Sequence, residues 1–153
     1  MLRLSPDPID ASQELQQFEQ RVKDAGGIVT FSGHVRPKAS MGDVSALHLQ
    51  AYSPMTETGI EAAISDAQSR WTLDAVLVLH RIGDMLPGDT IVFVATAAKH
   101  RRAAFEAADF LMDYLKTEAV FWKKEKTETG AHWIEPRDDD YADAARWAKK
   151  EPV

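Results

Sequence analysis

Two lysines, Lys116 and Lys123, stand seven positions apart in the stretch DYLKTEAVFWKKE, with Val120, Phe121 and Trp122 immediately before the second. A lysine in water serves solubility, whereas one pressed against apolar walls and a second cation holds its proton less tightly. The neutral amine so produced acts as a nucleophile or a proton carrier near pH 7. In a continuous helix the pair would lie two turns, roughly 10 Å, apart on one face. If the chain instead bends after Thr117, Phe121 and Trp122 fold Lys123 back toward Lys116. Either path allows one shared pocket; the competing reading is a pair of solvated surface lysines.

A second cluster suits an anion. In TAAKHRRAAFEA a strand ending in alanine feeds a helix that begins at His100, Arg101 and Arg102. Free amide hydrogens at a helix N-terminus attract phosphate or carboxylate. Cations there oppose the helix dipole, so a bound anion would compensate them; the alternative is a solvated basic helix start. Arg36 ends an earlier strand just before a Pro- and Gly-containing loop, and its planar fork matches the same anions. His34, two positions earlier, shares its side of a regular strand. The five histidines show no metal-ligand spacing, so no metal site is assigned, and there is no phosphate-binding glycine loop, dinucleotide fingerprint or serine elbow.

The elements that must hold these residues alternate in type. Asp10 or Ser12 caps a first helix carrying Leu15, Phe18 and Val22 on one face, with Gly26 and Gly27 as its stop. GIVTFSGHVR reads as a strand, PKASMGD as a mobile loop and VSALHLQAY as a second strand, the two pairing around that loop. Ile60, Ala63, Ile64, Ala67 and Trp71 keep helical spacing between Pro54 and Trp71, with Met55 taken as part of the same core. DAVLVLHRIGDM and DTIVFVATAA form a strand pair around LPGD. A third helix spans about His100 to Thr117, with Lys116 at the end of its polar stripe. VFWKKEKT and AHWIEPR form a last hairpin, and DDDYADAARWAKK a closing helix with aspartates at its N-terminus. This mixture defines an α+β class, and residues 1–153 read as one domain.

Composition narrows the function. A hydrophobic content of 44% in 153 residues supports a core without staples, and with no cysteine there is no thiol nucleophile. The net charge of −6 argues against general nucleic-acid binding. Yet residues 99–126 hold seven Lys or Arg against five acids, so positive charge is gathered around the candidate residues. No run reaches the ~18 apolar residues of a membrane span, and the N-terminus lacks a secretory pattern. A cytoplasmic protein without membrane contact is expected.

Taken in order, VTFSGHVR, LHLQAYSPMTE, LHRIGDMLPGDTIVFV, AAKHRRAAFEAADFLMDYLKT, FWKKE and HWIEPR resemble one family, the large, catalytic subunit of molybdopterin synthase. The resemblance runs from about Gly27 to Trp147. It implies an α/β-hammerhead-like fold with mixed or antiparallel strands and an additional C-terminal hairpin and helix. It also implies a homodimer at the centre of a heterotetramer in molybdenum cofactor biosynthesis. A small ubiquitin-like sulfur-carrier subunit would insert its C-terminal Gly-Gly tail, carried as a thiocarboxylate. Two sulfurs would pass to cyclic pyranopterin monophosphate, with no cofactor of the chain's own. By the same resemblance Lys116 and Lys123 are catalytic. By that resemblance His34, Val35, Arg36, His100, Arg101, Lys124 and Glu125 contact substrate; the alternative for Glu125 is to orient Lys123 or a neighbouring cation instead. Two other classes of function are weighed against this enzyme: a non-catalytic adaptor for a Gly-Gly tail, and a phosphate-ligand-binding regulator.

The chain departs from the family pattern at Glu118, where a basic residue is common, and at Val120, where proline is common. Without that proline the third helix is free to run beyond Thr117, and Glu118 lowers the local positive potential.

Overall fold

Residues 75–81 read AVLVLHR, an apolar run suited to burial on both faces. In the computed structural model, which describes residues 1–40 and 42–148, this run is β5 (Ala75–Arg81) of a four-stranded sheet. Val76 and Val78 pack with α2 (Met55–Arg70) and α3 (Arg101–Thr117), while Leu77 and Leu79 pack with α1 (Ala11–Arg21) on the other face. The period-two alternation thus builds three layers, with helices on both faces of the sheet. Strand order is β1 (Leu2–Ser5), β5, β7 (Thr90–Ala98), β2 (Gly27–His34); β1 runs parallel to β5 and the other pairs are antiparallel.

A second sheet is made of β3 (Lys38–Ala39), β4 (Gly42–Ala51), β8 (Phe121–Thr127) and β9 (Gly130–Ile134), with β6 (Gly83–Met85) also paired to β4. Val35, Val44, Leu47, Leu49 and Met85 form its own small core. The last helix, α4 (Asp138–Ala145), lies against α3. The α+β class, the C-terminal hairpin and the closing helix are those that the sequence implies.

Several local expectations are corrected. The strands read as a pair, β2 and β4, belong to different sheets: β2 pairs with β7, and β4 with β8. The reason lies just after β2, where the Val35 N–H donates to Asp89 O at 2.9 Å and Val35 O accepts from Gly88 N at 2.8 Å. That tie holds the chain to the turn before β7, and the β3–β4 hairpin then carries β4 away. The expected loop is therefore largely this hairpin, with Lys38 opposite Asp43; its Met41 lies outside the described residues. Helix α1 is capped by Asp10 but stops at Arg21, before Gly26. Gly26 has a different duty, since a Cβ there would meet Lys99 O at 2.0 Å. Met55 is 62% exposed rather than core. The closing helix ends at Ala145, and Lys149 and Lys150 of its expected span lie outside the described residues. Strand β1 has no counterpart in the sequence reading; the Met1 ammonium anchors it by donating to Val76 O at 2.8 Å. Among the described residues no helix is long and apolar enough to cross a membrane.

Candidate active site

The site begins with how α3 ends. Thr117 Oγ1 donates to Asp113 O at 2.7 Å, and the amides of Glu118 and Ala119 both donate to Tyr114 O at 2.9 and 3.0 Å. Those bonds close the last turn without a proline. One residue further, Val120 O accepts from Thr56 Oγ1 at 2.6 Å, and Thr56 Oγ1 itself accepts from Tyr52 N at 2.8 Å. The chain thus bends after Thr117, and β8 starts at Phe121 from a fixed point. Glu118 lines an adjoining depression and is not among the residues that line the Lys123 cavity.

Strand alternation then sorts β8 into two faces. Phe121, Lys123 and Glu125 line a cavity of about 260 Å³ together with Lys116 from α3. His34, Val35 and Arg36, just where β2 ends, form another wall, and Leu47, Ile91, Leu115 and Ile134 supply apolar surface. Lys116 is exposed and Lys123 half-buried. Burial first, and the Lys116 charge second, lower the Lys123 amine to about 8, against a smaller opposing pull from Asp140. Both protonation states of Lys123 are therefore accessible near neutral pH. Beside it His80 is buried, its Nδ1 2.9 Å from Arg81 O, and its ring stacks on Phe121. Burial brings His80 down to about 4, so its ring is neutral at pH 7.

The other face of β8 is exposed and aromatic. Trp122 packs edge-on against Tyr52 and Trp133, and Lys124 Nζ sits 5.0 Å from the Trp133 ring centre. The structure thus places Lys124 outside the lysine cavity. It also leaves His100 and Arg101 at the opposite end of α3, roughly 22 Å along the axis from Lys116. His100 is the N-cap residue and makes no side-chain capping bond. In one chain, Arg36 and His34 join the lysines, and the His100–Arg101 cluster does not.

The sequence reading missed a wall. Glu135 and Arg137 line the cavity from the connection between β9 and α4, and Asp140 and Tyr141 from the start of α4. Asp140 Oδ2 accepts from Arg137 N at 2.8 Å and Oδ1 from Arg137 Nη2 at 3.3 Å, an arrangement that starts α4. A larger depression of about 730 Å³ lies between α2, α3 and α4. Much of its charge is already paired, Arg70 with Asp66 and Asp113 with Arg146, so the smaller cavity is the better seat for chemistry.

The chain and its fold have relatives. Residues 4–118 match the family model described as MoaE protein. The chain is 47% identical over 146 residues to the molybdopterin synthase catalytic subunit of Yersinia pestis, the match covering 95% of this chain and 96% of that protein. The chain belongs to the MoaE family. The catalytic subunit from Escherichia coli (strain K12) is 46% identical over 145 residues, covering 94% of this chain and 95% of that one. The molybdopterin biosynthesis MoaE protein from Burkholderia ambifaria MC40-6 superposes with a TM-score of 0.82 at 41% identity, covering 98% of this chain and 99% of that structure. The MoaE model ends at Glu118, short of Lys123 and Asp140, but the matches to these relatives cover nearly the whole chain.

Proposed function

We propose that this chain is the catalytic subunit of a molybdopterin synthase. It would move sulfur from the thiocarboxylated Gly-Gly tail of a small ubiquitin-like subunit to cyclic pyranopterin monophosphate. The observation that carries the proposal is Lys123, half-buried and lowered to about 8, in one cavity with Lys116 and Arg36. A cysteine-free chain has no sulfur nucleophile of its own, which fits a sulfur supplied by a partner. In each transfer the thiocarboxylate sulfur forms a C–S bond at the pterin side chain and displaces an oxygen there, and water then hydrolyses the resulting thioester, leaving sulfur on the pterin and a carboxylate on the partner's tail. The chain's task is then to hold both reactants and to shuttle protons. Lys116, exposed at the cavity, is the amine for the tail's terminal carbonyl; Lys123 serves the departing oxygen on the pterin side chain. Arg36 holds the substrate's phosphate.

The distance between the lysines and the His100–Arg101 cluster gives the proposal a dimeric form. A second copy would bring its own α3 start to the lysine cavity and complete the anion seat. The deciding experiment is Lys116→Ala, assayed with thiocarboxylated partner and precursor. Product formation falls by about 10²-fold or more, while gel filtration shows the partner complex intact. Unchanged turnover removes Lys116 from the mechanism. A wild-type complex that yields no dithiolene marks an adaptor instead of an enzyme.

A further inference from the structure

Asp140 is the buried carboxylate of the lysine cavity, 8% exposed. Burying a carboxylate costs stability unless donors satisfy it, and here Arg137 supplies both, through its amide and its guanidinium. Neither bond uses Lys116 or Lys123, so the carboxylate stands as a fixed negative charge between the start of α4 and two amines. Charges fixed before reaction act without reorganisation.

The groups around Lys123 come from five places. They are Lys116 on α3, Glu125 on β8 itself, His80 on β5, His34 at the end of β2 with Arg36 just beyond it, and Glu135, Arg137, Asp140 and Tyr141 ahead of and within α4. Arg36 and Arg137 bring guanidinium groups that only donate, His80 is neutral, and Glu135 is exposed. Asp140 differs in being both buried and anchored. We propose that Asp140 is a positioning residue for Lys123, a carboxylate fixed at the first turn of α4 that sets how readily the Lys123 amine takes and yields its proton.

The electrostatics agree with the geometry. Burial pushes the Asp140 carboxyl up, but the Arg137 amide and guanidinium and the Lys116 charge outweigh it and hold it below the usual range. Asp140 is thus ionised throughout the interval in which Lys123 titrates. Burial and Lys116 draw protons off Lys123, and Asp140 opposes them.

The inference rests on the proposed function for its catalytic meaning, so its test avoids turnover. The full chain is acylated with trace acetic anhydride between pH 6 and 11, and labelling is read at each lysine by mass spectrometry. Wild-type Lys123 titrates at about 8. In Asp140→Asn, whose amide oxygen still caps α4, the midpoint moves down by about half a pH unit or more. Labelling at pH 7 is then about threefold faster. Asp140→Glu restores the wild-type midpoint, and Lys124, on the other face, labels alike in all variants. Should Asp140→Asn fail to fold by circular dichroism, Asp140→Ser carries the same expectation. An unmoved Lys123 midpoint in a folded, charge-removed variant overturns the inference, whatever the enzyme turns over. Failure of the wild type to form product overturns the sulfur-transfer reading and leaves the labelling result standing.

Discussion

His80 and Phe121 stack with ring centres 4.2 Å apart and planes inclined by 24°, joining the first sheet to the second beside Lys123. The pair is an apolar barrier, because the histidine is neutral and its Nδ1 is engaged by Arg81 O. Phe121→Ala removes the half of the stack that shares a cavity wall with Lys123. Water then reaches the amine, and its midpoint rises from about 8 toward the ordinary lysine value of 10.5. Stability falls by about 2–4 kcal/mol, since Phe121 is half-buried. Labelling of Lys123 against pH and urea unfolding check the two effects.

Lys123 itself costs the fold stability. An amine at about 8 in the folded chain and 10.5 unfolded binds its proton less tightly when folded. The unfolded chain therefore holds more protons between those values, and stability rises with pH across that window. Below about pH 8 the cost is fully present. Lys123→Met removes it, so the variant is more stable than wild type at pH 7, by on the order of 1–3 kcal/mol, while losing turnover. The advantage shrinks as pH climbs from 8 to 10.5. Paired urea titrations at pH 7 and pH 10 measure it; an equal difference at both would detach the effect from the amine.

What is legible in the sequence follows the range of the forces involved. Helices α2 and α3 show themselves because Ile60, Ile64, Leu111 and Leu115 recur at spacings set within one helix, and the β8–β9 hairpin shows itself through a local turn. Lys116 and Lys123 stand out because ammonium groups beside Phe121 and Trp122 conflict with ordinary surface patterning. Arg137 and Asp140 give no such signal. Their bonds span three residues and look like any helix start, and nothing local says that α4 turns its first residues toward Lys123. Lys124 is adjacent to Lys123 in sequence, but the two-residue period of a strand sends it to the other face. The β2–β7 pairing is invisible for want of any local mark, because the tie at Val35 is to Asp89, far along the chain.

Thr56 joins two elements through one hydroxyl, accepting from Tyr52 N and donating to Val120 O, with the residue 1% exposed. It fixes where β8 begins in a chain that has valine at position 120. Thr56→Val keeps the shape and leaves a part-buried amide and carbonyl without their partner, at a cost of about 1 kcal/mol. The start of β8 loosens, so turnover falls by more than the loss of folded protein explains. Urea unfolding gives the first quantity, and kcat per folded molecule the second. Thr56→Ser, which keeps the hydroxyl, recovers most of both.

The separation of Arg101 from Lys116 along α3, roughly 22 Å, leads to a prediction about subunit exchange. If a second copy completes the anion seat, Arg101→Ala and Lys116→Ala damage residues that serve one cavity from different chains. Each variant alone is then inactive, because both cavities of a symmetric dimer carry the lesion. In a mixed dimer, the chain with intact Lys116 meets the intact Arg101 of its partner, and one cavity is whole. Random exchange of equal amounts makes about half of the dimers mixed, which restores about a quarter of wild-type turnover. If all the groups act within one chain, no exchange produces a whole cavity and the mixture stays as inactive as its parts. Coexpression of the two variants in equal amounts, purification through one tag common to both so that every dimer is recovered, and assay with thiocarboxylated partner separate the cases.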